Sequence, residues 1–167
     1  AVYKYQRRDL SIQMALSVTV QPQRCEGCVR PVVGCHFYLS LGTDFSGSDL
    51  QGATFYLTDL QDANLSDCDL QNASLYGAKL KDTNLSNSNL REVTLDSAVL
   101  DGTDLTNTNL EDSFAYSTQF ENVKIQGADF TNVYLPRDVV REFCKDASGT
   151  NPFTNRETRE TLECDYI

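Results

Sequence analysis

Large apolar residues recur at every fifth position from Phe45 to Leu135, and only Ala115 in that series is small. Leu65, Leu70, Leu75, Leu80, Leu85 and Leu90 form the most regular stretch of it. Two residues before each large side chain stands a small one, such as Ala63, Cys68, Ala73, Ala78, Thr83 and Ser88. The residue between them is Asp or Asn at ten of the nineteen positions. A period of five fits neither an amphipathic helix nor an alternating strand. A small and a large residue two apart both face inward on a short extended piece. The remaining positions are rich in Asp, Asn, Ser and Gly, which suit tight turns. Each five-residue unit therefore reads as one side and one corner of a coil, and successive coils stack through backbone hydrogen bonds.

Units such as Ala63-Asn64-Leu65-Ser66-Asp67 and Ala128-Asp129-Phe130-Thr131-Asn132 resemble the pentapeptide-repeat proteins. The resemblance implies an all-β solenoid, a right-handed quadrilateral β-helix with four repeats per coil. It divides the chain into an N-terminal arm (1–42), the β-helix (43–135) and a C-terminal cap (136–167). Nineteen repeats make nearly five coils, roughly 23 Å tall at about 4.8 Å per coil. Both ends of such a stack need covers. Pro136 opens a helix over Arg137 to Lys145, with Gly149 as a stop, and Thr154 with Glu157 reads as the capping box of a second helix reaching about Cys164. Val140 and Phe143 would cover the last coil. Val18, Val20, Val32, Val33, Phe37, Leu39 and Leu41 of the arm would cover the other end.

Charge changes the picture next. Residues 1–42 carry a net +3, residues 43–135 a net −11 and residues 136–167 a net −2. An acidic shaft disfavours direct binding of nucleic acid or anionic membrane. It also leaves open a surface that imitates DNA, as in relatives that bind gyrase. The apolar stretch Met14 to Val20 is short and interrupted for a secretory signal, and a chain starting at Ala1 is what removal of a leader would leave.

Five of the six cysteines lie outside the repeats. Cys68 takes a small inward position and reads as a buried free thiol. Cys144 and Cys164 fall one on each expected cap helix, where a disulfide would clamp the hairpin. The tail from Cys144 to Cys164 resembles that of thylakoid-lumenal members of the family from cyanobacteria and chloroplasts, which implies an exported, oxidising location. Cys25, Cys28 and Cys35, followed by His36, admit structural disulfides, a zinc site or a redox site. As three residues, they leave one cysteine free, paired with Cys68 or bonded to another chain.

Catalytic machinery is not visible: His36 is the single histidine, and no phosphate-cradling loop, HExxH or EF-hand motif occurs. No cofactor or metal is expected. Sequons such as Asn64-Leu65-Ser66 are written by the repeat itself. Stacking positions twenty apart gives four outward ladders. One begins Ser46, Ser66, Ser86; a second Gln51, Gln71, Arg91; a third Gln61, Lys81, Asp101. The remaining ladder runs Tyr56, Tyr76, Asp96, Tyr116, Pro136, with Leu57, Phe114 and Tyr134 beside it. Aromatic residues outside a core stack on one another, lie beneath another segment such as the N-terminal arm, or mark a protein-binding face. Ala115 with Phe114 suggests a local distortion there. The sequence thus reads as a monomeric, non-enzymatic scaffold that binds a protein through Tyr56, Leu57, Tyr76, Phe114, Tyr116 and Tyr134. A DNA mimic and a redox-responsive protein are the alternatives.

Overall fold

The computed structural model describes residues 41–167. Residues 1–40 of the arm, with Cys25, Cys28, Cys35, His36 and its other apolar residues, lie outside the described residues; Leu41, expected to cover the upper end, is largely exposed. From Asp44↔Asn64 to Asn109↔Asp129, parallel bridges join residues twenty apart. At Val99–Asp101 (β1) and Gln119–Glu121 (β2) they lengthen into two short parallel strands. Each coil therefore takes twenty residues and has four sides.

The corners explain why this sequence turns every five residues. The third residue of each turn has a positive φ, from Gly42 to Asn132 without a break, and most turns close an i to i+3 bond such as Ser48 N to Phe45 O, 3.1 Å. That is the type II requirement, which Gly, Asn and Asp meet at least cost. Each of the ten Asp or Asn residues preceding a large apolar residue accepts a bond from the backbone N–H two residues on, as Asp44 does from Ser46 at 3.0 Å and Asn84 from Ser86 at 3.0 Å. Amide side chains also bond from coil to coil: Asn84 donates to Asn64 at 3.3 Å and Asn64 to Asp44 at 3.1 Å.

Inside, Leu60 to Leu105 stack as solvent-free rungs, including the six leucines from Leu65 to Leu90. The small inward positions carry hydroxyls that burial would penalise if unpaired. Thr83, Ser88, Thr103, Thr108, Ser113 and Thr118 each donate to the carbonyl twenty-three residues earlier, at 2.6 to 3.2 Å. Cys68 follows the same rule, its Sγ donating to Phe45 O at 3.0 Å. Burial pushes its thiol up to about 11, so it is not a thiolate at neutral pH.

Below the coils, helix α1 (Arg137–Asp146) turns Phe143 onto Phe120 and Phe130, with ring centroids 5.4 and 5.5 Å away. Gly149 is not its stop: the helix ends at Ala147, whose N–H bonds Phe143 O. Gly149 is needed because the chain there runs against Gly127, where a Cβ would meet the Gly127 nitrogen at 3.0 Å. Ser148 O accepts from Gly127 N at 2.7 Å, so this segment continues the ladder of the last coil.

The expected long second helix is a correction. Helix α2 spans only Thr158–Thr161, followed by a 3-10 turn at Cys164–Tyr166. Thr154 and Glu157 do not form a capping box. Thr154 Oγ1 instead donates to Asp129 Oδ2 at 2.6 Å, and Glu157 pairs with Thr150 in an antiparallel bridge, which holds this stretch extended. Cys144 and Cys164 form a disulfide, joining α1 to the 3-10 turn.

Candidate protein-binding face

On three sides of the shaft the outward positions are mostly polar or charged, with Val99 an exception. The fourth carries Tyr56, Leu57, Tyr76, Phe114, Tyr116 and Tyr134, from 38% exposed at Tyr76 to 74% at Tyr134. The backbone fixes their register. Leu57 N bonds Tyr76 O, Gly77 N bonds Asp96 O and Ser97 N bonds Tyr116 O, at 2.9 to 3.0 Å. Tyr56, Tyr76, Asp96 and Tyr116 are therefore equivalent positions in four successive coils. Thr54, Ser74, Thr94 and Phe114 form the parallel ladder beside them. No Asp or Asn precedes the large residue on this side, so its edge lacks the side-chain turn bonds that recur on two other sides and occur once, at Asp59, on the third.

Tyr56 and Tyr76 stack, with centroids 5.3 Å apart and planes 9° from parallel. Among the described residues no ring contact joins Tyr116 or Tyr134 to this pair, so self-stacking accounts for the upper rings alone. Above Ala115 the ladder is regular, with Phe114 N to Val93 O at 2.9 Å and Leu95 N to Phe114 O at 2.7 Å. Below it the run of parallel bridges on this side ends at Phe114.

Leu57 is the odd member. It occupies the corner with φ 55°, a conformation costly for a bulky side chain, and it is 60% exposed. Its Cδ2 lies over Gly77, where a Cβ would come within 2.5 Å, so the missing side chain at Gly77 makes room for it. Leu57→Asn is expected to raise stability by about 0.5–1 kcal/mol, read as a higher urea midpoint with an unchanged slope. A lower midpoint would mean that the Leu57–Gly77 contact outweighs the strain.

The described residues contain no helix long and apolar enough to cross a membrane, and no cluster arranged to hold a metal ion. A concavity of about 540 Å³ lies on a different side, over Asp69, Asn89 and Asn109 and beneath Phe153. Its charged groups largely answer one another, Arg91 reaching Glu111 and Asp112 at 3.7 and 3.4 Å.

Beside that concavity lies a cluster that the repeat pattern does not announce. Asp129, whose side chain is solvent-free, accepts from Thr131, Thr154 and Arg156, and Arg156 also reaches Glu111 at 3.0 Å. Burial raises the Asp129 carboxyl, but the bonds from Thr131 and Thr154 and the Arg156 charge outweigh it and hold it below the usual range. Asn151, fully buried, donates to Thr108 O and Gly127 O at 3.0 and 2.8 Å. These contacts fasten residues 151–156 to the last coils.

A stack of twenty-residue coils with a small and a large inward residue in each repeat defines a class of solenoid. The family model for pentapeptide repeats matches residues 42–77 and 73–112. A solved pentapeptide repeat protein from the thylakoid lumen of Arabidopsis thaliana is 35% identical, over 75% of this chain and 91% of that one, with a TM-score of 0.46. The chain belongs to the pentapeptide-repeat family, whose fold is the right-handed quadrilateral β-helix and whose members are generally non-catalytic. The chloroplastic thylakoid lumenal 15 kDa protein 1 of Arabidopsis thaliana is 46% identical over 48 residues, which are 29% of this chain and 21% of that protein. The chain thus spans about a fifth of that curated relative. A pentapeptide repeat protein from the cyanobacterium Cyanothece is 23% identical over 56% of this chain and 65% of its own, with a TM-score of 0.34.

Proposed function

We propose that this protein is a non-enzymatic protein-binding or scaffolding module of an oxidising compartment, the thylakoid lumen, and that its aromatic side is the binding surface. The observation that carries this reading is the gathering of six large, exposed apolar and aromatic residues on one side of an otherwise polar, acidic shaft. Such residues supply most of the contact energy where proteins meet, and soluble domains rarely expose them together without use. In this reading the nearly five coils of residues 43–135 act as a rigid post, and residues 136–167, with helix α1 and the one-turn α2, close its lower end as a cap. The Cys144–Cys164 bond suits an oxidising space, and the lumenal relatives point to the same place. No cofactor enters, and the partner is a protein rather than nucleic acid or membrane, met by a monomer.

Replacing Tyr76 with a photo-crosslinking aromatic in the native host tests the surface. A lumenal protein captured from position 76, and not from a control at Ser66 on another side, is the expected result. A gyrase subunit captured there would favour the DNA-mimic reading instead. Equal capture from both positions would overturn the assignment of this side.

A further inference from the structure

The aromatic ladder has one gap. At the position that holds a ring in the coils on both sides, the third coil carries Asp96, between Tyr76 above and Tyr116 below. Its neighbours along the coil are Thr94 and Ser97, both small, while the next coil presents Phe114 together with Tyr116. The third coil is thus a recessed shelf between aromatic walls. Two coils separate those walls, about 10 Å at the strand spacing of ~4.8 Å. Stacked rings on this side sit one per coil, as Tyr56 and Tyr76 show at 5.3 Å. The gap therefore has the thickness of one planar group.

The floor of the gap is a carboxylate. Asp96 Oδ1 accepts from Tyr116 N at 2.6 Å, which fixes the carboxylate beside the lower wall. Among the described residues no Lys or Arg lies within ion-pair distance of Asp96, as is also so for several other acidic residues of the shaft, and Asp96 is the one of them between two tyrosines of its ladder. A planar cation would replace the missing ring, facing tyrosine on both sides and a carboxylate beneath.

Building on the partner-face reading, we propose that the shelf between Tyr76 and Tyr116 receives an arginine side chain of the partner, its guanidinium bonded to Asp96 and stacked between the two aromatic coils. Guanidinium suits the place better than ammonium because it is flat, weakly hydrated and stacks on aromatic faces. The net −11 of the shaft draws a basic segment towards it. The size of the side favours one extended segment over a second copy. Five coils offer roughly 300 Å² per partner, well short of the ~800 Å² that a stable dimer uses, whereas about seven extended residues span the height.

The test titrates the isotope-labelled protein with the peptide Ac-Leu-Arg-Leu-NH2, and with its lysine and citrulline counterparts, followed by amide NMR. The arginine peptide is expected to shift the amides of Gly77, Ser97 and Tyr116, and to bind about ten-fold more tightly than the citrulline peptide. Asp96→Asn keeps an oxygen for the Tyr116 N–H but removes the charge. It should abolish that preference while leaving the thermal midpoint in place. Equal binding of the three peptides, shifts on another side, or indifference to D96N would overturn the proposal. Crosslinking from position 76 separates it from the broader reading. A partner captured equally by wild type and D96N keeps the face and overturns the arginine shelf. Arginine-specific shifts without any captured partner support the shelf and count against the scaffold.

Discussion

Leu90→Ala should lower the unfolding free energy by about 4 kcal/mol, in the upper half of the range for a buried leucine. Leu90 is solvent-free in the middle of its ladder, with Leu70 above and Leu110 below. The cost of such a cavity depends on how far the surroundings can collapse into it. Here they cannot, because the coils are held apart by their own ladder: Leu70 N to Asn89 O at 2.8 Å and Leu90 N to Asn109 O at 2.7 Å. The Leu90 carbonyl also receives the Ser113 hydroxyl at 2.7 Å, which ties the rung to the next coil. Urea unfolding should show a lower midpoint with little change in slope, and Leu90→Met should cost less than about 1.5 kcal/mol because it preserves volume. A loss below about 1 kcal/mol for the alanine variant would show that the rungs can close up after all.

Arg156→Ala should destabilise the fold at neutral pH, read as a lower urea midpoint with little change in slope. It leaves Asp129 buried with hydrogen bonds from Thr131 and Thr154 but without its cation. The loss is smaller than for a fully buried pair because the Arg156 side chain is 40% exposed and partly keeps its water. The pH dependence carries a definite sign. The Asp129 carboxyl is held below its ordinary value in the folded chain, so its contribution is complete above about pH 4 and is lost as pH falls through the lowered folded value. Without Arg156 the burial that raises this carboxyl is opposed by less, and the variant loses that contribution at higher pH. The difference between wild type and R156A should therefore be widest near pH 7 and narrow below about pH 4. A difference independent of pH would place the effect in lost packing rather than in the ion pair.

Both sites show how far the sequence reaches. Leu90 was readable as a core rung from its place in the period of five, and so was the outward position of each aromatic residue. In a solenoid, local spacing alone decides which residues face inward and which coil neighbours meet. Asp129 was equally visible, but only as one more turn residue. Nothing near it in sequence says that Thr154 and Arg156, some twenty-five residues on, return to cover it. The same contact undoes the capping box expected from Thr154 and Glu157, since Thr154 spends its hydroxyl on Asp129. A local helix signal lost to a distant carboxylate that burial would otherwise leave under-satisfied. Asn151 is a similar case, because its side-chain amide stands in for the backbone of a coil that is not there.

The sequence by itself determined the repeat, the four-sided coil, the register of twenty and the identity of every rung and ladder. These follow from periodicity, because contacts between neighbouring coils repeat at one fixed separation. Only the tertiary structure decided how the last coil is closed, that Leu57 is held in strain over Gly77, and that the coil of Asp96 is a recess rather than a break in a continuous ladder. Those features depend on which side chains meet across coils, and on the space left where one of them is missing.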